Sequence, residues 1–283
     1  MKEYHLHKYD YAKVQLDIHD ARPYCIKNEE HCYKPHRHSY NQIIWFKEEG
    51  EHYVDYQRFN HQRNTVFFLA KGQIHSFCKT SINEGILFHF NEEFLSGSDP
   101  ITSQVMKYRL FSNIGLPFLV LNDDEIITFQ HVTKNLLQEL EEKKYNYKQQ
   151  LYFYFQILLL KLERQIQLDT TELEVDAAFE MAMLFKEEVE NNLDRFNPIS
   201  FYAEKLNTTE KKLTKVSKKF LHQTPSQYIN DKKILEAKRL LSNSNLLIKE
   251  IAYNLGFDQS TYFTKYFKKH SGITPKEFKE EYL

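Results

Sequence analysis

IKEIAYNLGFDQSTYFTKYFKKHSGITPKEF, residues 248–278, decides the reading of this chain. Ile248, Ile251, Ala252 and Leu255 recur at helical spacing and stop at Gly256; Tyr262, Phe263, Tyr266 and Phe267 restart the pattern a few residues on. The spacing predicts a helix, a tight turn and a second helix. Gly256 stands where a helix ends in the left-handed conformation that glycine adopts at little cost. Asp258 or Ser260 is placed to cap the next helix through a side-chain oxygen. With the aromatic side turned inward, Ser260, Thr261, Thr264, Lys265, Lys268 and Lys269 remain outside, and these residue types meet phosphates and base edges.

The unit occurs twice. Tyr202-Ala203-x-x-Leu206-Asn207 answers Ile251-Ala252-x-x-Leu255-Gly256 at an offset of 49, and Leu213-Thr214-Lys215 answers Phe263-Thr264-Lys265 at 50, as Thr224-Pro225 answers Thr274-Pro275. Asn207 replaces the turn glycine, and Asn is the residue that best tolerates the left-handed region after glycine. Thr209 is the expected N-cap of a helix over 210–221, which keeps Lys211, Thr214, Lys215 and Lys218 outside and offers Leu213, Val216 and Phe220 to the core. Between the copies, 225–241 reads as one helix whose inner face is Tyr228, Ile229, Leu235, Ala237, Leu240 and Leu241. One lysine-bearing face is usually just a solvated face. Two, at matched offsets and joined by one helix, fit successive major grooves about 34 Å apart. Charge agrees: residues 197–283 carry 16 Lys and Arg against 9 Asp and Glu, and the remainder 22 against 30. A basic region in a near-neutral chain points to a polyanion.

The N-terminal part differs in kind. The stretches 41–46, 52–56, 65–70 and 85–90 are short, β-branched or aromatic, and separated by turns without helices between them, which predicts a small antiparallel barrel or jelly roll over 1–120. Residues 121–167 contain two helical blocks broken at 141–147 and read as a helical hairpin; the second block is apolar on more than one face, as expected of a dimer seam. Residues 168–177 are short and acidic and read as a linker, leaving 178–283 as a helical domain. Its first helix-turn-helix spans about 198–222, its connecting helix about 225–242 and its second helix-turn-helix about 247–270. The fold class is thus α+β and multidomain. Alternating strand and helix units of a phosphorylated receiver are missing, as are a nucleophile elbow and a phosphate-cradling glycine loop, with 7 glycines in the whole chain. Three cysteines in no framework spacing, a polar N-terminus and the lack of a long apolar run fit a reducing cytoplasm and no membrane segment.

Residues 180–280 resemble the DNA-binding domain of the AraC/XylS family of transcription regulators, through Ile251-Ala252, Gly256-Phe257, Tyr262-Phe263, Phe267-Lys268-Lys269, Gly272, Pro275 and the connecting Glu236-Ala237-Lys238-Arg239-Leu240-Leu241. The resemblance places Lys211, Thr214 and Lys215 in the first recognition helix and Ser260, Thr261 and Lys265 in the second. It implies promoter DNA, RNA polymerase, a small-molecule effector and a second copy of the chain as partners. Departures are Ser217 for the usual Phe, His222 for a common Gly, and Lys for Arg at 215 and 265; lysine lacks the two-pronged match of Arg to guanine.

His36-Arg37-His38 and 71–75 resemble the two motifs of a cupin barrel, the sensor fold of many such regulators. His36, His38 and His75 align with the three histidine ligands of enzymatic cupins. Gln42 stands at the carboxylate position and Ala70 replaces a proline, and a neutral amide weakens the hold on a divalent cation. The expectation is therefore a metabolite sensor without a cofactor. Its interior would hold Trp45, Phe46, Phe67, Phe68, Phe77 and Phe88, with Arg37, His38, Trp45 and His75 meeting the ligand. Alternatives left open are a three-histidine metal site, a site involving Cys25, His31, Cys32 and His36, and a metal-dependent cupin enzyme with a DNA-binding tail.

Overall fold

The structure, a computed structural model, describes residues 3–6, 14–91, 94, 110–111, 117–166, 172–221, 223–243 and 246–282; His222 lies outside them. Two compact units divide the chain, 1–169 and 170–283. The first is rich in sheet and the second is helical.

In the first unit, β1 (Glu3–Tyr4), β3 (His36–His38), β5 (Gly50–Val54), β6 (Gln57–His61) and β8 (Ile74–Phe77) form one sheet, ordered β1-β3-β8-β5-β6. A second sheet is ordered β10-β7-β4-β9-β2, from β2 (Leu16–Asp20), β4 (Asn41–Phe46), β7 (Thr65–Leu69), β9 (Gly85–Phe90) and β10 (Phe118–Val120). The first unit is sheet-rich, as expected; the described strands of the expected antiparallel barrel or jelly roll make two sheets, and β1 departs from the antiparallel pattern by pairing with β3 in parallel. Short helices α1 (Ala21–Lys27) and α2 (Glu29–Cys32) follow β2.

The second sheet is buried on both faces, and its strands alternate between two cores. Ile44, Phe46, Phe67, Leu69 and Leu87 join Val54 and Phe77 of the facing sheet, together with Cys25 and Cys32. Ile43, Trp45, Val66, Phe68, Phe88 and Phe90 pack the other way, against helices α3 (Asp123–Glu142) and α4 (Tyr147–Ile166). The six aromatics expected in one interior thus divide by strand parity, because successive side chains leave a strand on opposite faces. Trp45 meets Phe129 of α3 with ring centroids 4.9 Å apart.

Asn122 opens α3 with a reciprocal cap: its Oδ1 accepts from Glu125 N–H at 3.0 Å, and Glu125 Oε2 accepts from Asn122 N–H at 2.8 Å. Lys143 and Asn146 turn the hairpin with positive φ. Along α4, Leu151, Phe155, Leu158, Leu159 and Leu162 are buried, while Phe153, Ile157 and Leu160 are 55%, 44% and 46% exposed.

The second unit begins with α5 (Glu172–Glu190). The segment expected as a linker is therefore helical from Glu172; Glu, Leu and Ala are strong helix formers and no Gly or Pro interrupts them. Then follow α6 (Ile199–Lys205), α7 (Glu210–Phe220), α8 (Pro225–Asn243), α9 (Ile248–Asn254), α10 (Ser260–Ser271) and α11 (Pro275–Tyr282). Helix α8 touches α5, α7, α9, α10 and α11 and is the beam of the unit. Its buried face is Tyr228, Lys233, Ile234, Ala237 and Leu241, whereas Leu235 and Leu240 are half-buried.

The repeat recurs in hydrogen bonds. Thr208 N–H donates to Ala203 O at 2.9 Å after α6, and Phe257 N–H to Ala252 O at 3.0 Å after α9. Asn207 and Gly256 hold the positive φ that each turn requires, 48° and 79°. Thr224 with Gln227 caps α8, and Thr274 with Glu277 caps α11, each pair exchanging side-chain and backbone bonds. Thr209 caps α7 by accepting from Lys212 N–H at 3.2 Å. Neither Asp258 nor Ser260 caps α10: Gln259 occupies that place without a side-chain bond.

Candidate nucleic-acid interface and histidine cluster

On α7, Leu213, Val216 and Ser217 are buried, while Lys211, Lys215 and Lys218 are exposed and Thr214 is half-buried. On α10, Phe263 and Phe267 are buried, Thr261, Lys265, Lys268 and Lys269 are exposed, and Ser260 is half-buried. Thr264 turns its hydroxyl back to Ser260 O at 2.9 Å. Tyr262 was expected inside and is 58% exposed, because it lies one residue off the Phe263 and Phe267 stripe. Among the described residues, no ion pair occupies the six lysines of these two faces.

Behind α10 the sequence hides a buried cation. Lys233 of α8 is 1% exposed, and its Nζ donates to the carbonyls of Leu193, Arg195 and Leu255 at 2.7, 3.1 and 2.9 Å. It also sits 4.0 Å from the centroid of Phe196. Burial pushes its pKa down to about 8. Leu255 is the last residue before the Gly256 turn, so this lysine pins the turn to the loop that follows α5. Nothing in the spacing of 225–241 separated Lys233 from a solvated lysine.

The Ser217 departure has a structural partner. Ser217 stands where Phe267 stands in the second copy, and it is fully buried. Its hydroxyl donates to Gln223 O at 2.8 Å, the bond that Ser271 makes to Ile273 O at 2.9 Å one copy later. Leu221, buried, holds the position equivalent to Ser271. The large and small residues of the pair have exchanged places one helical turn apart.

In the first unit, His36 and His38 leave the same face of β3, and His75 of β8 is paired with His36. One nitrogen of each lies within 4.8 Å of the others, and all three are buried. His38 Nε2 is 2.9 Å from His75 Nε2, His75 Nδ1 is 3.2 Å from His52 Nε2, and Gln42 Nε2 donates to His89 Nε2 at 3.0 Å. Burial holds His36 at about 4 and His89 at about 3, and keeps His38, His52 and His75 well below the usual imidazole range. The group is thus neutral at pH 7.

Of the four residues expected to meet a ligand, the structure brings together His38 and His75. Arg37 leaves β3 on the opposite face, with Nε 3.4 Å from Glu3 Oε1, and Trp45 packs under the helical hairpin. His52 and His89 were missed; the only signal was a histidine in each of two strands that face the same interior. Cys25 and Cys32 are buried thiols of that interior, and the bond to Cys32, then burial, raises the Cys25 pKa. The alternative site from Cys25, His31, Cys32 and His36 is not the cluster that forms: among the described residues the metal-capable group is His36, His38 and His75. Those three nitrogens fit a transition-metal ion, and no carboxylate belongs to the group.

Residues 202–281 match the family model described as a helix-turn-helix domain. A protein named HTH-type transcriptional activator RhaR, from Cronobacter sakazakii, is 32% identical over 92 residues, 32% of each chain. A xylose operon regulatory protein from Haemophilus influenzae is 38% identical over 74 residues, 26% of this chain and 19% of that one. The matches thus span about a third or less of those relatives. Wild-type ToxT from Vibrio cholerae, in a crystal structure with bound unsaturated fatty acid, is 16% identical over 93% of this chain and 94% of that one, with a TM-score of 0.44. The second unit is a helix-turn-helix DNA-binding domain. Among the described residues, no helix is long and apolar enough to cross a membrane.

Proposed function

We propose that this chain is a one-component transcription regulator of the AraC type, acting in the cytoplasm on promoter DNA and with RNA polymerase. The observation that carries the reading is the doubled motif. Two helices, α7 and α10, follow turns with matching hydrogen bonds, are joined by one continuous helix, and each present lysines that have no ion pair among the described residues. In this reading each half is a complete helix-turn-helix, and Lys211, Thr214, Lys215 and Lys218 of α7, with Ser260, Thr261, Lys265, Lys268 and Lys269 of α10, meet two successive major grooves. The two-sheet unit is a cupin-like sensor of a small molecule. Phe153, Ile157 and Leu160 of α4 offer an apolar strip for a second copy of the chain.

The test uses duplexes selected by the protein from a random pool. Lys215→Ala and Lys265→Ala should each weaken binding and lower the salt dependence by about one phosphate equivalent if the lysine contacts backbone. If the lysine reads a base, preference relaxes at one position instead. Unchanged affinity and salt slope in both variants would refute the assignment of α7 and α10.

A further inference from the structure

The interior of the first unit holds more imidazole than a core needs, and its rings are held in a particular way. His36 Nδ1 lies 2.8 Å from the Lys34 carbonyl. A carbonyl only accepts, so Nδ1 carries the proton and Nε2 keeps its lone pair. His75 Nδ1 lies 3.2 Å from His52 Nε2, which lets His75 hold its proton on Nδ1 and frees its Nε2 in the same way. His38 Nε2 faces that freed nitrogen at 2.9 Å. Two nitrogens each about 2.1 Å from one ion stand about 3.4 Å apart at a tetrahedral angle. The pair is therefore about 0.5 Å short of that spacing, a difference that a small turn of either ring supplies.

The surroundings narrow the chemistry. Gln42, at the position expected for a carboxylate ligand, donates to His89 and keeps its buried Oε1 unpaired. A neutral, all-nitrogen set suits the later first-row divalent ions and disfavours magnesium or calcium, which take oxygen. It also leaves the charge of a bound ion uncompensated by the protein. We propose that His36, His38 and His75 bind one divalent late first-row transition-metal ion of the zinc class, that His52 positions His75 from behind, and that this ion is the signal the first unit receives. The word signal rests on the regulator reading; binding of the ion does not.

Full-length protein without an affinity tag, stripped with a chelator, is titrated with Co2+ and Zn2+. One ion per chain is expected, with Co2+ gaining the visible absorption of a nitrogen-bound centre that Zn2+ then bleaches. His38→Ala and His75→Ala should lose the ion, His131→Ala on the exposed side of α3 should keep it, and His52→Asn should weaken binding about 10–100-fold. Circular dichroism establishes that each variant is folded. Failure to take up an ion stoichiometrically, or undiminished uptake by folded His38→Ala and His75→Ala, overturns the site; undiminished affinity in His52→Asn overturns the positioning role. Binding to the selected duplexes is measured with and without Zn2+. A shifted midpoint supports the ion as signal, and an identical midpoint overturns that role while the titration still judges the site. Absence of DNA binding in both states overturns the regulator reading instead.

Discussion

The two halves of the helical unit are built to one plan and held by different means. In the second, the turn is glycine, and a Cβ added at Gly256 would stand 2.2 Å from Asp194 O. That backbone approach is clamped by Lys233, which satisfies three carbonyls at once. In the first, the turn is Asn207, α5 packs on α7, and α5 carries a half-buried lysine of its own. Burial, then the nearby Lys232 charge, pushes Lys186 down to about 7. A repeated sequence therefore fixes the hydrogen bonds of a turn, while the surroundings decide how hard that turn is to disturb.

The largest effect is expected at the tighter turn. Gly256→Ala combines the left-handed cost of roughly 1–2 kcal/mol with a clash against backbone, and should destabilise the second half by about 3 kcal/mol or more. Hydrogen exchange over α9 and α10 of the full-length protein would measure it; protection equal to the native chain would show that the close approach is not limiting. Lys233→Met keeps the stem and removes the donor, leaving three carbonyls unpaired. A loss of about 2 kcal/mol in the same amides is expected, and a larger loss in α7 than in α10 would break the assignment of Lys233 to the second half.

Lys186 gives a pH signature to the first half. Its folded pKa lies below the unfolded value of 10.5, so between pH 7 and that value the unfolded chain binds more protons and stability rises with pH. Below pH 7 both states are protonated and the burial penalty is fully present. Lys186→Met should therefore stabilise α5 and α7 by about 1–2 kcal/mol at pH 6, the side chain being part exposed. The gain should shrink toward pH 10, and a pH-independent gain would assign it to packing. The smallest effect is expected at Asn207→Gly, within about 0.5 kcal/mol, because relief of the left-handed strain is offset by greater freedom of the unfolded chain.

Sequence made the tandem unit legible because its determinants are local. The positive φ of Gly256 and Asn207 and the cap of Thr209 are set within about five residues, and those roles follow from backbone chemistry, although the approach of Gly256 to Asp194 does not. Trp45 was misplaced because the 41–46 strand is buried on both faces, and a run without polar alternation does not say which parity faces which core. Lys233 was invisible for a related reason: a lysine amid helical polar positions is nearly always solvated, and only the three converging carbonyls, far off in sequence, make burial tolerable. The histidines converge through register, His36 opposite His75 and His89 opposite Gln42, and pairing register is a long-range property. The Ser217 departure became meaningful only when Leu221 was seen one turn on.

Helix α8 runs unbroken for 19 residues, about 28 Å at 1.5 Å per residue, and touches elements of both halves. It therefore stores the angular phase between them. Inserting a single residue within it would rotate one half against the other by about 100° and advance it about 1.5 Å, whereas four residues would nearly restore the angle and add about 6 Å. Each half can diverge in its own contacts, but their relative phase is inherited from the length of one helix.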